Sequence, residues 1–272
     1  MIKGISFWSF PGGTSIADAF AIAKRVGFES VELAVDESGE LSLDTTDAQA
    51  AAIRAQADSA GVRLPTLATG LGWKYPVIGP DPQVCAKGAQ VVRECLRLAK
   101  ALGAGVVLCV PGTVTDDFAY SEALTQCVER FRELGEVAAE YEVVIGLENV
   151  WNRFLLSPVE FARVLEAIDR EYVQAYFDVG NVVINGYPDQ WIRTLGPAVR
   201  AVHLKDFKRS IGTIEGFIDL LEGDVPWDRV MAALREVGYE GACTAEMMPP
   251  YRHFPERLLE ATSQSMDLIL SQ

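Results

Sequence analysis

The chain has 272 residues, 49% of them hydrophobic, and its formal net charge is −14. This length and composition fit one large domain with an extensive hydrophobic core. The acidic balance argues against a nucleic-acid-binding protein, because such proteins normally carry a basic surface. No apolar run reaches the roughly 18 to 20 residues that a membrane helix needs, so we expect no membrane association.

The cysteines are scattered along the chain, and no two of them form a CxxC pair. They are Cys85, Cys95, Cys109, Cys127 and Cys243. An odd number without disulfide or metal-binding spacing indicates reduced thiols, most of them buried. The N-terminal sequence MIKGISFWSF also lacks the long apolar segment and the cleavage site of a signal peptide. Both features predict a cytoplasmic protein.

Taken in chain order, β-like runs alternate with helix-like segments. The first run, IKGISFW (residues 2–8), precedes a helix-like segment with Ser15 at its N-cap and Gly27 at its stop. The later runs are SVELAV (30–35), RLPTLAT (63–69), GVVLCVPG (105–112), VVIGLENV (143–150), VQAYFDVGN (173–181), VRAVHLKDF (199–207) and GACTAEMM (241–248). A helix-like segment with apolar residues at helical spacing follows each of these runs.

Eight strands and eight helices in strict alternation predict parallel strands joined by crossover helices. Several runs are almost continuously apolar, as expected when both faces of a strand are buried. Eight such units in 272 residues match the size of a (β/α)8, or TIM, barrel, and we predict one such α/β domain over residues 1–272. A doubly wound open sheet is the alternative. Against it, the segment FPGGTS after the first strand lacks the GxGxxG spacing of a dinucleotide-binding loop.

Four consecutive predicted strands each end close to a residue that can bind a metal. Glu148 lies near the end of the fifth run, in GLENV, Asp178 near the end of the sixth, in YFDVGN, His203 in the seventh, and Glu246 near the end of the eighth, in TAEMM. In a TIM barrel the chemistry gathers at the carboxyl ends of the strands, so these side chains should converge above the barrel. Each has an ordinary structural explanation on its own, such as a hydrogen-bonded core histidine, but the common placement of all four favours a shared site.

A divalent cation would explain this cluster. Three carboxylates close together repel one another, and an ionisable group among apolar residues is costly unless it is paired or ligated. Three oxygens and one imidazole suit a fairly hard ion such as Mn²⁺, Mg²⁺ or Co²⁺, and Zn²⁺ is compatible with the same set. We therefore predict a metal site formed by Glu148, Asp178, His203 and Glu246.

The motifs LEN, FDVGN, VHLKD and AEM in these four strands resemble the xylose-isomerase-like barrel superfamily, and within it the sugar (phosphate) isomerase/epimerase group. The resemblance implies that the four residues are the metal ligands and that Glu148 and Glu246 exchange protons with the substrate. It also implies that Arg209 contacts substrate oxygens. Asn181 stands where many of these epimerases carry a histidine. An asparagine can hydrogen-bond a hydroxyl group but cannot act as an acid or base near neutral pH.

The implied reaction is proton abstraction next to a carbonyl, giving an enediolate that a metal ion stabilises. If Glu148 and Glu246 face opposite sides of the substrate, the protein is an epimerase. If one base carries the proton between adjacent carbons, it is an aldose–ketose isomerase. An inosose-dehydratase-like lyase, which would use the same first step and then expel a hydroxyl, stays open. So does a barrel that binds carbohydrate without catalysis.

Other residues bear on the substrate, which we predict to be a small sugar or sugar phosphate. Lys205, with Lys208 and Arg209, offers cations that could hold a phosphate. Alternatively, Lys205 pairs with a neighbouring carboxylate and the substrate is uncharged. Trp8 and Trp151 lie near strand ends, where aromatic rings pack against a sugar. Members of the family commonly form dimers or tetramers, so the resemblance also implies a homo-oligomer.

Overall fold

The computed structural model describes residues 1–248 and 251–272, and its centre is a closed barrel of eight parallel strands. The barrel strands are β1 (Ile2–Ser6), β2 (Ser30–Val35), β3 (Thr66–Thr69), β4 (Val106–Cys109), β5 (Val144–Glu148), β6 (Val173–Asp178), β7 (Val199–Leu204) and β10 (Ala242–Ala245). Each strand pairs with the next along the chain, and β10 closes the barrel against β1. The predicted (β/α)8 barrel is confirmed.

In the described residues, eight α-helices surround the barrel. They are α1 (Ile16–Val26), α2 (Asp47–Ala60), α3 (Pro82–Leu102), α4 (Tyr120–Tyr141), α5 (Pro158–Ile168), α6 (Pro188–Leu195), α7 (Trp227–Glu236) and α8 (Arg257–Leu270). The predicted ends of the first helix are confirmed. The Ser15 hydroxyl accepts a hydrogen bond from the Asp18 N–H at 3.1 Å, and Gly27 adopts the left-handed conformation with φ 97°. A glycine suits this position because it has no Cβ to clash there.

The seventh predicted run is divided into two elements. Strand β7 ends at Leu204, and a second short strand, β8 (Asp206–Phe207), pairs antiparallel with β9 (Phe217–Ile218). Lys205 lies between the two strands. The two-stranded ribbon stands on the segment that leads from the barrel to α7, so it lies beside the carboxyl ends of the strands.

Strand register brings the predicted ligands to one level of the barrel. Asp178 of β6 is paired with His203 of β7, and Glu148 of β5 is paired with Tyr176 of β6. Glu246 follows directly after β10, and its N–H donates to the carbonyl of Leu204 at 3.2 Å. These pairings place the ends of four adjacent strands around one point.

The interior of the barrel is filled below that point. A cluster of buried side chains that includes Tyr176 and Leu108 occupies it, and Trp8 packs against this cluster. Gly146 makes room for the tyrosine, because a Cβ at Gly146 would lie only 2.9 Å from the Cβ of Tyr176. The ligand-bearing strand ends therefore rest on a packed layer rather than on an open channel.

The cysteines are free and buried, as the sequence indicated. Burial raises the pKa of Cys95 and of Cys243 to about 12. In the part of the chain that the structure describes, none of the helices is both long enough and apolar enough to cross a bilayer.

Candidate metal centre and substrate cavity

The predicted ligands meet at the mouth of the barrel. Glu148, Asp178, His203 and Glu246 each offer one ligand atom, and these atoms all lie within 4.8 Å of one another. Glu148, Asp178 and His203 are buried, and the Glu246 side chain is 19% exposed. The structure thus brings together the four residues that the strand ends suggested.

The imidazole of His203 is oriented by contacts on both of its nitrogens. Its Nδ1 faces the carboxylates and lies 2.9 Å from Glu246 Oε2 and 3.2 Å from Glu148 Oε1. Its Nε2 lies 2.8 Å from Glu32 Oε1. A proton on Nε2, donated to Glu32, leaves the Nδ1 lone pair directed at the cluster. Nδ1 is therefore the atom that would bind a metal.

Glu32 belongs to this centre, and the sequence analysis did not identify it. It lies on β2 and is 1% exposed, and the hydroxyl of Tyr176 donates a hydrogen bond to it. A carboxylate behind a metal-binding histidine fixes the ring and raises the basicity of the ligand nitrogen. Glu32 therefore positions His203 rather than offering a fifth ligand.

Lys205 is the cation nearest to the cluster. Its Nζ lies 2.8 Å from Glu246 Oε2 and 3.1 Å from Asp178 Oδ2. Of the two alternatives for this lysine, the structure shows pairing with carboxylates of the centre. Because its charge is already shared between two acids, Lys205 is not a free anion-binding group.

The donor set fits a divalent ion. Asp178 Oδ2 is buried and accepts no hydrogen bond, and the Lys205 ammonium 3.1 Å away contributes only an ion pair. A buried carboxylate oxygen without a hydrogen bond is costly, and a divalent ion would supply the partner that it lacks. The other Asp178 oxygen accepts from the N–H of Asn181 at 2.8 Å, which fixes the carboxylate in place.

The pKa values of the cluster respond to burial and to neighbouring charges in different ways. Burial raises the pKa of Glu148 to about 7, and His203 offsets only part of this effect. Burial also raises the pKa of Asp178, against the opposing effect of Lys205. For Glu246, burial acts in the same direction, but Lys205 and His203 outweigh it and lower the pKa. A bound dication would lower the pKa of all the ligating carboxyl groups.

A cavity of about 670 Å³ opens directly above the cluster. Glu246, Lys205 and Asn181 line its floor. Its walls are largely apolar and are formed by Trp73, Val150, Trp151, Ile214, Phe217, Ile218, Met247 and Met248, with Asp206, Asp219 and Glu222 among them. The volume is in the range of small-molecule binding sites.

Two of the predicted substrate contacts, Asn181 and Trp151, lie in this cavity and are joined to each other. The indole Nε1 of Trp151 donates to the carbonyl of Asn181 at 2.8 Å, and Asn181 Nδ2 donates to the carbonyl of Asn149 at 2.9 Å. The Trp151 ring also packs edge-on against Phe207, with ring centroids 5.3 Å apart. These contacts hold an aromatic face and an amide at the edge of the candidate metal centre.

Arg209 and Trp8 are placed differently. The Nε of Arg209 donates to the carbonyl of Val183 at 2.9 Å, and its guanidinium stacks over Tyr187. Trp8 lines a second cavity, which lies at the ends of β1, β2 and β3. The structure therefore brings Asn181, Lys205 and Trp151 to the cavity above the candidate metal centre, and it directs Arg209 and Trp8 elsewhere.

The fold agrees with the family to which the chain belongs. A family model described as the xylose isomerase-like TIM barrel matches residues 20–270. This match covers most of the chain, and the protein is a member of that family. The resemblance that the strand-end motifs suggested is confirmed.

Individual relatives are sugar epimerases. The chain is 29% identical to L-ribulose-5-phosphate 3-epimerase UlaE of Shigella flexneri serotype 5b over 252 residues, which cover 90% of this chain and 86% of the relative. It is similar in fold to D-psicose 3-epimerase with D-tagatose from Clostridium cellulolyticum H10, with a TM-score of 0.81, 18% identity and 99% of both chains covered. It is also similar in fold to the IolI protein with a bound zinc atom, with a TM-score of 0.84, 15% identity and coverage of 100% and 98%. Sugar epimerases are isomerases, and the prediction of an isomerase is confirmed at that level.

Proposed function

We propose that the protein is a divalent-metal-dependent sugar 3-epimerase that inverts a ketose at the carbon beside its carbonyl. The convergence of Glu148, Asp178 and His203 with Glu246, which lines the cavity at the barrel mouth, carries this proposal. The names of the relatives support the same reaction, since UlaE of Shigella flexneri is an L-ribulose-5-phosphate 3-epimerase.

Glu148, Asp178, His203 and Glu246 would hold the ion. Three carboxylate oxygens and one imidazole favour Mn²⁺, with Mg²⁺, Co²⁺ or Zn²⁺ as alternatives. When bound, the ion supplies a Lewis acid that stabilises negative charge on the enediolate oxygens of the substrate. Glu32 keeps the Nδ1 of His203 turned toward the ion through its contact with Nε2.

The two glutamates would move the proton. One carboxylate removes the hydrogen from C3 as a proton, and the electron pair of that C–H bond passes into the carbonyl group to form the enediolate. The other carboxyl group then returns a proton to the opposite face of C3, and the carbonyl is restored. Positioned acids and bases of this kind typically contribute about 10²- to 10⁴-fold in rate.

Three residues of the cavity would orient the sugar. Asn181 and Lys205 lie beside the cluster and can donate hydrogen bonds to hydroxyl groups, and Trp151 offers an aromatic face to the C–H side of the ring or chain. The direct substrate contacts predicted for Arg209 and Trp8 stay predictions, since the side chain of Arg209 is held by Val183 and Tyr187, and Trp8 lines a separate cavity.

Incubation of Mn²⁺-loaded protein with a panel of ketoses, free and phosphorylated, in D₂O tests the proposal. A 3-epimerase incorporates deuterium at C3 and forms the C3 epimer, which NMR detects. Deuterium at C1 or C2 with an aldose product would identify an aldose–ketose isomerase. Loss of a hydroxyl group from an inosose would identify the lyase. Absence of exchange with every substrate, in protein with one bound ion, would contradict the proposal and favour a barrel that only binds carbohydrate.

We further propose a homodimer or homotetramer in the cytoplasm. Trp73 is 54% exposed and Leu221 is 44% exposed, which is unusual for large apolar side chains and is consistent with an interface near the barrel mouth. Light scattering coupled to size exclusion would measure the subunit number directly. The free, buried cysteines are consistent with a reducing compartment.

A further inference from the structure

The cavity above the metal centre carries more carboxylates than those proposed to bind the metal. Of the residues that line it and that the structure describes, Lys205 is the only cation, whereas Asp206, Asp219 and Glu222 add three carboxylates to the wall. The whole chain is acidic as well, with a formal net charge of −14. Clefts lined by one sign of charge repel ligands of the same sign.

Lys205 does not make the cavity positive, because its charge is paired with carboxylates of the metal centre. Its Nζ contacts Glu246 at 2.8 Å and Asp178 at 3.1 Å, and its side chain is only 18% exposed. A bound dication and the Lys205 ammonium together balance the three ligand carboxylates. The wall carboxylates, Asp206, Asp219 and Glu222, then make the electrostatic potential over the rest of the cavity negative.

The remaining wall is poorly suited to a phosphate group. Phe217, Ile218 and Met247 present apolar surface to the cavity. A phosphate dianion loses water when it enters such a space and requires N–H donors and cations in return. The same wall suits the C–H faces and the short, uncharged end of a free sugar.

The second cavity at the barrel mouth shows the same pattern. Its lysine, Lys74, lies 2.5 Å from Glu37. Asp36 and Glu40 line the same cavity and add further negative charge. A substrate whose distal end points toward β1, β2 and β3 therefore meets carboxylates too.

Two arginines close to the centre are turned away from the main cavity. The Nε of Arg209 donates to the carbonyl of Val183, and its guanidinium stacks over Tyr187. Arg153 lines an adjoining cavity, and Trp151 and Asn181 form the wall that the two cavities share. Since Trp151 is tied to Asn181 by a 2.8 Å hydrogen bond, this wall separates Arg153 from the metal centre.

We propose that the substrate is an uncharged ketose and that the protein discriminates against ketose phosphates. This inference rests on the proposed epimerase function and names the substrate class for the same site. It separates this chain from the relative UlaE, whose name specifies L-ribulose 5-phosphate. The basis is the set of carboxylates and apolar side chains on the cavity wall, together with the engagement of Lys205.

The direct test compares matched pairs of substrates with Mn²⁺-loaded protein at low ionic strength. The pairs are L-ribulose with L-ribulose 5-phosphate, D-xylulose with D-xylulose 5-phosphate, and D-fructose with D-fructose 6-phosphate. We expect kcat/KM for the best free ketose to exceed that of its phosphate by about tenfold or more. We also expect the ratio to narrow as salt is added, because ions screen the repulsion.

A variant without the wall charges tests whether Asp219 and Glu222 cause the discrimination against ketose phosphates. In Asp219→Asn/Glu222→Gln, we expect the phosphate-to-free ratio of kcat/KM to rise by about fivefold or more, since two negative charges leave the wall. Glu215→Gln is the matched control. It removes one negative charge from the same exposed segment, but Glu215 is not one of the residues that line the cavity. The ratio should stay unchanged in this control.

Equilibrium binding gives a readout that does not depend on turnover. Trp73 and Trp151 line the cavity, so their fluorescence reports on ligands that enter it. In metal-free and in Mn²⁺-loaded protein we expect free ketoses to bind more tightly than their phosphates. A preference for the phosphates, in kcat/KM and in binding, would overturn the inference and leave the epimerase function intact. Absence of C3 exchange with both members of every pair would overturn the epimerase function itself, and the inference with it.

Discussion

Nε2 of His203 lies 2.8 Å from Oε1 of Glu32, although the two residues are on strands that are not neighbours in the barrel, β7 and β2. This contact decides which imidazole nitrogen faces the three carboxylates. Tyr176 donates to the same glutamate and fixes it from below. A residue in the first quarter of the chain therefore orients a ligand in the last third.

Glu32→Gln is expected to weaken metal binding while the barrel stays folded. Glutamine can still accept from Nε2–H, but it lacks the charge that raises the basicity of Nδ1. Loss of such a partner typically costs about 10- to 100-fold in metal affinity. Isothermal titration of metal-free protein with Mn²⁺ measures the change. Thermal unfolding of the metal-free forms serves as the control, and unchanged Mn²⁺ affinity would remove Glu32 from this role.

Glu246→Gln is expected to bind ketose and to keep its fold but to lose deuterium exchange at C3. The amide has the shape of the acid but cannot take a proton from carbon, so the rate should fall by about 10²-fold or more. NMR in D₂O at saturating Mn²⁺ measures the exchange rate. Glu148→Gln should behave in the same way. Full exchange in either variant would show that its glutamate does not carry the proton.

Asp206→Asn is expected to loosen the wall of the cavity. The buried Asp206 carboxylate accepts from the N–H of Leu221 at 2.9 Å, of Val225 at 3.2 Å and from the indole of Trp227 at 3.1 Å. In the asparagine variant an NH₂ group replaces one carboxylate oxygen and cannot accept these hydrogen bonds. Each buried N–H that loses its acceptor costs about 1–3 kcal/mol of folding free energy. Limited proteolysis followed by mass spectrometry should show cleavage within residues 208–224 about tenfold faster than in the native protein.

Gly223→Ala tests the same contact independently. An added Cβ would lie 2.0 Å from Asp206 Oδ1, so the segment has to shift. Glu215→Gln lies on the same segment without this contact and should be cleaved like the native protein. Equal cleavage rates in the native protein and in all three variants would mean that the Asp206 hydrogen bonds do not stabilise the cavity wall.

The buried thiols predict a loss of stability at alkaline pH. Burial raises the pKa of Cys95 to about 12, above the value of about 8.5 that an unfolded thiol has. Between these two values the unfolded chain binds fewer protons than the folded one, so the free energy of unfolding falls as pH rises. The slope is about 1.4 kcal/mol per pH unit for one thiol.

Cys95→Ala isolates this effect. The variant lacks one titrating thiol, so its free energy of unfolding should fall less steeply between pH 9 and pH 11, by about 1.4 kcal/mol per pH unit. Urea unfolding at several pH values measures both slopes. Parallel curves for the two proteins would contradict the prediction.

The order of strands and helices, and the residues at the strand ends, could be predicted from the sequence because both depend on local patterns. Ser15 and Gly27 mark a helix by their own conformational preferences, and Asp178 and His203 each end or interrupt an apolar run. Two details differ at the site. Lys205 separates β7 from β8 where one run was predicted, and β10 ends at Ala245, so Glu246 lies just beyond the strand rather than within it.

The role of Glu32 could not be predicted in the same way, because its partner lies 171 residues further along the chain. A signal was present, since a carboxylate in the apolar run SVELAV is as costly to bury as a histidine in VRAVHL. The composition of the cavity wall was not readable either. Which side chains of residues 206–225 face the cavity depends on the two-stranded ribbon and on Asp206, and neither has a local pattern.

Measurement of bound metal in active protein tests the central claim most directly. The account predicts that purified native protein with C3 exchange activity contains about one equivalent of divalent ion per chain by elemental analysis. It also predicts that Asp178→Ala contains far less and shows no exchange, while its circular dichroism stays that of the barrel. Full activity in protein with no divalent ion, or native metal content in the Asp178 variant, would contradict the claim that these four side chains form a metal centre.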